Sequence, residues 1–261
     1  MPEKTLIISG GSSGIGQATA LLFAQHAYLV FELSRHGESS SGVVHIDCDV
    51  TDELQIKAAV AHVVAETGRV DVLICNAGMG ISGPVEFTEM EAAKHLMNVN
   101  FFGAYALTKA VLPVMRKQQE GKIILVSSVA AVFSIPYQAF YSASKAAINA
   151  LALALRNEVK DFGVEVCCLM PGDVKTGFTA AREKERKGND VYGHAQLSVS
   201  AMEKDEEKGM PPEKVALQLL QLAQQRRVSV YHVAGISYRF LCLLDRLLPK
   251  TLVNWVVGKL Y

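Results

Sequence analysis

Long apolar runs are missing from this chain: although half of its 261 residues are hydrophobic, none of the runs approaches the roughly 20 residues that a membrane-spanning helix needs. A secretory leader is also not expected, because MPEKTLIISGG enters an apolar strand within a few positions and carries no charged n-region followed by a long h-region. Neither sign of charge is in excess. The 26 basic residues balance 26 acidic ones, which leaves no electrostatic footprint for nucleic acid or for an anionic membrane. Cysteines number five (Cys48, Cys75, Cys167, Cys168 and Cys242), an odd count with one adjacent pair and no CxxC spacing. That pattern excludes a disulfide framework and a zinc or redox site, and leaves reduced thiols packed in a core. A cytoplasmic protein without a bound metal is the expectation.

What is present is an alternation of short apolar runs with helical patterns. Strands are predicted at 5–9, 28–33, 43–46, 70–75, 122–126, 164–170 and in VSVYHV at 228–233, most of them followed by a segment of helical periodicity. Such a chain predicts an α/β fold: a doubly wound, mostly parallel sheet of seven strands with helices on both faces and its site at the carboxyl ends of the strands. The length suits one domain over 1–261, with a lid predicted at 177–210 and an apolar helical tail at 236–261.

The strand ends carry the chemistry. GGSSGIG at 10–16 lies between the first strand and a helix, where backbone amides and the positive end of the helix dipole can receive a phosphate. Its spacing is GxxxGxG and not GxGxxG, and no Lys-Ser/Thr follows as in a P-loop. The second strand ends at Ser34 and Arg35, types that accommodate a ribose 2′-phosphate and so favour NADP(H) over NAD(H). Glu32, 22 positions after Gly10, has about the spacing of a ribose-binding acid but lies two residues short of that strand tip. The third strand runs into His45, Asp47, Cys48 and Asp49; alternation along a strand argues that these do not converge on a metal, and the reading is a polar strand end. The fourth ends in Asn76, Ala77 and Gly78, and the sixth in PGDVKT.

The most informative stretch is Gly121 to Leu153, a buried strand ending in Ser127 and Ser128, then a loop and a helix bearing Tyr141 and Lys145. Residues four apart lie on one helix face, so the ammonium can sit against the phenol and draw its pKa down from about 10 towards working range. An amphipathic helix with a surface Tyr and Lys is the alternative on these residues alone. From Glu89 to Lys117 the pattern is helical, with a new turn or a kink expected at Pro113, and so apolar that a second buried face, a subunit contact, is expected. Asn98 and Asn100 sit within it. Residues 177–210 are charged and read as the lid, with a solvated insertion as the alternative. In the tail, Leu247, Leu248, Leu252 and Trp255 could cover a substrate cavity, pack on a second subunit or touch a membrane surface.

Taken together, these residues resemble the short-chain dehydrogenase/reductases over nearly the whole chain. The agreement covers SGGSSGIG, Asp49 and Val50, CNAG at 75–78, Asn100, Ser128, YSASK at 141–145 and PGDVKT at 171–176, in that order. Ser9 stands where the family commonly has threonine, and Cys75 where asparagine is common. The resemblance implies a Rossmann-type oxidoreductase that acts on CH–OH groups with a nicotinamide cofactor and needs no metal. It assigns Tyr141 as general acid in reduction and base in oxidation, Lys145 to the nicotinamide ribose and the tyrosine pKa, Ser128 to the substrate oxygen and Asn100 to a water-linked relay. It further assigns Gly10, Ser12, Ser13, Gly14, Ile15 and Gly16 to the diphosphate end, Ser34 and Arg35 to the 2′-phosphate, and Asp49 and Val50 to the adenine. Asn76 falls to the ribose side and Thr176 to the nicotinamide amide, and Ala77, Gly78, Pro171, Gly172 and Val174 are further cofactor-binding positions. Ser127, Ser134 and Tyr137 are the near neighbours left out.

The tail and the segment after Thr176 look like those of members acting on steroids, retinoids or other lipophilic alcohols and ketones. A bulky hydrophobic substrate, a hydroxysteroid for instance, is therefore the first expectation. The alternatives are a 3-oxoacyl thioester reductase and, in another class, a non-catalytic NADP(H)-sensing regulator. A homodimer or homotetramer is expected.

Overall fold

A computed structural model describes residues 4–40, 42–185, 187–188 and 190–261. The chain runs β1 (Lys4–Ser9), α1 (Gly14–Ala24), β2 (Tyr28–Ser34), β3 (Val43–Asp47), α2 (Glu53–Thr67), β4 (Val72–Cys75) and β5 (Ile81–Ser82). It continues α3 (Met90–Met97), a π turn (Asn98–Phe102), α4 (Gly103–Gln118), β6 (Gly121–Val126), α5 (Ala139–Val159) and β7 (Val164–Pro171). Last come α6 (Phe178–Ala181), β8 (Glu183–Lys184), α7 (Ala195–Glu207), α8 (Pro212–Gln224), β9 (Tyr231–Ala234), α9 (Ile236–Leu247) and α10 (Lys250–Leu260).

Seven strands form one sheet in the order β3-β2-β1-β4-β6-β7-β9, and every pairing is parallel. The order reverses between β1 and β4, and that crevice is where open α/β sheets take their ligands. Both faces are buried because side chains alternate. Ile7, Phe31, Leu33, Leu73, Ile123 and Leu125 pack against α2, α4 and α5, whereas Leu6, Ile8, Val30, Ile74 and Ile124 pack against α1 and α8. The seven strands expected from apolar runs are the seven observed.

Local signals set the helix ends. The Asp52 carboxylate accepts from the amides of Leu54 and Gln55 at 2.8 and 3.2 Å and starts α2, and Gly68, at φ 71°, stops it. The buried ammonium of Lys122 on β6 donates to the carbonyls of Leu222 and Gln225 at the end of α8, a placement the helix dipole favours.

Two segments add detail to the reading of the sequence. The helix read from Glu89 to Lys117 is interrupted by the π turn at Asn98–Phe102, because Asn100 turns inward to satisfy backbone groups of another loop. Pro113 sits inside α4, which continues through it. The span 177–210 is more ordered than its charge implies. It holds α6, α7 and β8, which pairs with β5 in a two-stranded parallel sheet, and Arg182 and Lys184 are paired with Glu206 and Glu203; positions 186 and 189 lie outside the described residues. Among the described residues, no helix is long and apolar enough to cross a membrane.

Candidate active site

The carboxyl ends of β1, β4, β6 and β7 open on a cavity of about 510 Å³. It is lined by Gly10, Ser13, Gly14, Ile15, Asn76, Ala77, Gly78, Ser128, Tyr141, Lys145, Pro171, Gly172, Val174 and Thr176, most of the expected set. Ser12, Gly16, Ser34, Arg35, Asp49, Val50 and Asn100 lie outside that lining.

The glycine turn is built for close approach. Gly10 and Gly14 have φ of 67° and 53°, and a side chain at Gly16 would strike the Gly10 carbonyl oxygen at 1.9 Å. Ser9 supplies the hydroxyl expected of it, accepting from the amides of Asn76 and Ala77, each at 3.1 Å. The Asn76 side chain in turn donates to the carbonyls of Ser9 and Gly10 at 3.2 and 3.0 Å, so it fastens the turn. Ser13 gives α1 no side-chain cap and the first turn holds no acid, so the free amides and positive end of the helix face the cavity. These residues fit the diphosphate of a dinucleotide.

At the edge of the crevice, Arg35 is exposed beside Asp49 and helps lower that carboxyl. Burial pulls the Asp49 pKa up, but the amide and hydroxyl of Thr51, at 2.8 and 2.7 Å, hold it below the ordinary value. Ser34 donates instead to Glu32 and to the His36 carbonyl, at 3.2 and 3.1 Å. Glu32 is buried within β2 against His45, whose other ring nitrogen is 3.0 Å from Asp47. His45 and Asp47, two apart, share a strand face, and Glu32 meets it from β2. Among the described residues, no group of three or more His, Cys, Asp or Glu is arranged to hold a metal ion.

The reactive groups meet at the ends of β6 and α5. Burial pushes the Tyr141 phenol up to about 12, although the Ser128 hydroxyl beside it pulls the other way. Burial likewise brings Lys145 down to about 8. Its ammonium donates to the Val126 carbonyl at 2.9 Å and stands 5.8 Å from the centre of the Tyr141 ring. This corrects the expectation of a depressed phenol: the chain's own residues leave Tyr141 a neutral donor at neutral pH. Asn100 receives the Met79 amide at 2.8 Å and donates to the Met79 carbonyl and the Ser144 hydroxyl, both at 3.0 Å. Its side chain thus positions neighbours. Of the three near neighbours, Ser127 donates to the Lys145 carbonyl at 3.1 Å and Tyr137 accepts the Gly83 amide on its main-chain carbonyl at 2.9 Å.

Phe178, Asp173, Met202, Glu206 and Tyr261, none of them named as a site residue from the sequence, line the opposite wall of the same cavity; Phe178, Met202 and Glu206 fall in the span read as a lid. Phe178 packs on Tyr141 with ring centres 5.7 Å apart, and buried Arg182 joins Glu206 to the ring of Phe178. The apolar phenylalanine after PGDVKTG was a readable signal, but the pairing of Arg182 with Glu206 across 24 positions was not.

A glycine-rich turn at the switch point of a parallel sheet, with Ser, Tyr and Lys at the neighbouring strand end, defines a dinucleotide-binding α/β oxidoreductase. Residues 4–187 match the family model described as short chain dehydrogenase, and the chain belongs to that family. It is 41% identical over 230 residues to the 3-ketodihydrosphingosine reductase of Bacteroides thetaiotaomicron, covering 87% of this chain and 86% of that one. A dehydrogenase/reductase SDR family protein 7-like of Drosophila melanogaster is 31% identical over 274 residues, 99% of this chain and 81% of the relative. Among solved structures, a short-chain dehydrogenase from Streptomyces avermitilis superposes with TM-score 0.84 at 27% identity, covering 95% and 94% of the two chains. ElxO with NADP bound does so with TM-score 0.77, also at 27% identity, covering 91% and 99%.

Proposed function

We propose that this chain is an NADP(H)-dependent reductase of a long-chain lipid ketone, of the class of 3-ketodihydrosphingosine, and that it also oxidises the corresponding secondary alcohol. The observation that carries the chemistry is the meeting of Ser128, Tyr141 and Lys145 on one cavity with the uncapped start of α1. The similarity to a 3-ketodihydrosphingosine reductase, 41% over most of both chains, supports the substrate class. The wall supports it too: Asp173 and Glu206 put carboxylates on a cavity otherwise walled by Phe178 and Met202. Because Glu206 is already paired with Arg182 and Asp173 holds the Tyr238 hydroxyl, it is the apolar part of this wall that suits a lipid chain. Arg35, exposed at the end of β2, supports NADP(H) over NAD(H).

The nicotinamide, when bound, gives or takes the hydride. The protein's part is to hold and protonate the carbonyl oxygen. Ser128 and Tyr141 donate to that oxygen as negative charge grows on it, and Tyr141 releases its proton there. Lys145, on the same helix face, supplies positive charge behind the phenol, and Asn100 keeps the loop of Met79 and the helix of Ser144 in register. Residues 177–210 act as a lid of which Phe178 and Met202 are the inner surface. The exposed faces of α4 and α5, with Tyr105 and Leu153, join subunits of a homodimer or homotetramer in the cytoplasm.

The test is NADPH and NADH consumption in parallel with 3-ketodihydrosphingosine, a 3-oxoacyl thioester and a panel of ketosteroids. The long-chain amino ketone with NADPH is expected to give the highest kcat/KM. A tenfold preference for a steroid or the thioester overturns the substrate, and no turnover of any ketone despite tight NADPH binding returns the chain to the regulator class.

A further inference from the structure

Helix α9 carries its hydrophobic stripe on the wrong side for a folded protein. Ile236, Phe240, Leu243 and Leu247 recur at i, i+4, i+7 and i+11, which puts them on one face, and they are 86, 60, 53 and 73% exposed. The opposite face, which meets the protein, presents Asp245, 7% exposed, and Tyr238. In α10, Leu252, Trp255 and Val256 are likewise exposed, Trp255 at 61%. An apolar surface of this extent on two successive helices marks an interaction site.

The charges name the partner. Between Gly235 and Tyr261 the basic residues are Arg239, Arg246, Lys250 and Lys259, all exposed, and the single acid, Asp245, is buried and bound by Lys250. In a chain whose 26 basic and 26 acidic residues balance, the tail is a cationic apolar patch. Arg239 and Arg246 flank the stripe of α9. A second copy docked face to face would set these cations against their own equivalents, whereas anionic headgroups would complement them. Neither helix can span: 12 and 11 residues reach about 18 Å at most, against a hydrocarbon core of about 30 Å.

Both ends of this hairpin touch the site. The Tyr238 ring closes over Gly172, where an added side chain would meet it at 2.1 Å, and its hydroxyl donates to Asp173. At the far end, Tyr261 lines the cavity that holds Tyr141.

We infer that α9 and α10 form an interfacial docking hairpin that lies on an anionic lipid surface and sets the mouth of the catalytic cavity against the lipid from which its substrate comes. The hairpin inserts the stripe of α9 and Trp255 among the headgroups, with Arg239, Arg246 and Lys259 meeting lipid phosphates. The cargo rests on the proposed function, and the docking itself does not.

The chain's single tryptophan is Trp255, so its emission reports on the hairpin alone. Full-length protein is titrated with vesicles of phosphatidylcholine containing 30 mol% phosphatidylglycerol (on the order of a bacterial or inner-leaflet charge) and with pure phosphatidylcholine. The expected result is a blue shift of Trp255 emission and co-sedimentation with the anionic vesicles, weakened at high salt. Arg246→Glu/Lys259→Glu, with NADPH turnover of a water-soluble ketone unchanged, should lose about tenfold or more in partitioning. No shift at saturating anionic lipid overturns the inference, as does a partition that ignores the charge reversal. So does a Trp255 already blue-shifted in a lipid-free dimer that Leu247→Glu dissociates. Failure to reduce long-chain ketones with docking intact removes the proposed substrate and leaves the hairpin standing.

Discussion

Asn100 and Ser144 are joined by a 3.0 Å hydrogen bond that links the π turn between α3 and α4 to the first turns of α5. Ser144 passes the link on, donating at 2.7 Å to the carbonyl of Tyr141. Asn100→Ala removes this bond and strands the amide and carbonyl of Met79. Orphaning a fully buried polar group costs about 1–3 kcal/mol, and the part-buried Met79 groups lie towards the lower end of that range. At roughly 2–4 °C per kcal/mol for a chain of this size, Tm should fall by several degrees in differential scanning calorimetry, with kcat lowered because Tyr141 loses its register. An unchanged Tm would show that the π turn is held by something else.

Tyr141→Phe tests the reacting hydroxyl. The ring packs on Phe178 and keeps its place, so NADPH affinity by fluorescence titration should change by less than about threefold, whereas kcat should fall by about 10²–10⁴, the range of a lost general acid. With the phenol near 12, reduction has its proton available throughout the neutral range. Oxidation needs the phenolate, so its kcat/KM should climb with pH between 7 and 9 while that of reduction does not.

Arg35→Asp tests the cofactor edge. A hydrogen bond to a charged group contributes about 1.5–3 kcal/mol, so the NADPH/NADH ratio of kcat/KM should drop by about tenfold or more. A ratio that stays put assigns the preference to other residues.

The framework was legible because parallel strands buried on both faces are near-continuous apolar runs, such as VLIC of β4 and VEVCCLM of β7. The site was legible where chemistry follows chain order: a strand ends, and within two positions come Gly10, Asn76, Ser128 or Gly172. What escaped depends on contacts between distant segments. The π turn exists because Asn100 meets the loop of Met79, 21 positions away, and no local pattern encodes that. Glu32 and His45 converge through the pairing register of β2 and β3, which places them side by side. The phenol's pKa was misjudged for the same reason, since spacing locates Lys145 near Tyr141 but burial of both is a property of the closed fold.

His45 gives stability a slope with pH. Burial draws its imidazolium pKa down, but hydrogen bonds with Asp47 and Glu32 and the charges of both acids outweigh that and leave it above 6.5. The folded chain therefore holds a proton that the unfolded chain gives up first. Its contribution is complete below pH 6.5 and is lost as pH rises through the folded pKa. His232, lowered by burial, acts with the opposite sign as pH rises towards 6.5, and Lys145, brought down to about 8, adds stability between about 8 and 10.5. Immediately above pH 6.5 the falling slope belongs to His45. Urea unfolding of the wild type should show stability falling as pH rises from 6.5, and His45→Gln should flatten that segment. The same slope in the variant would assign the proton to another group.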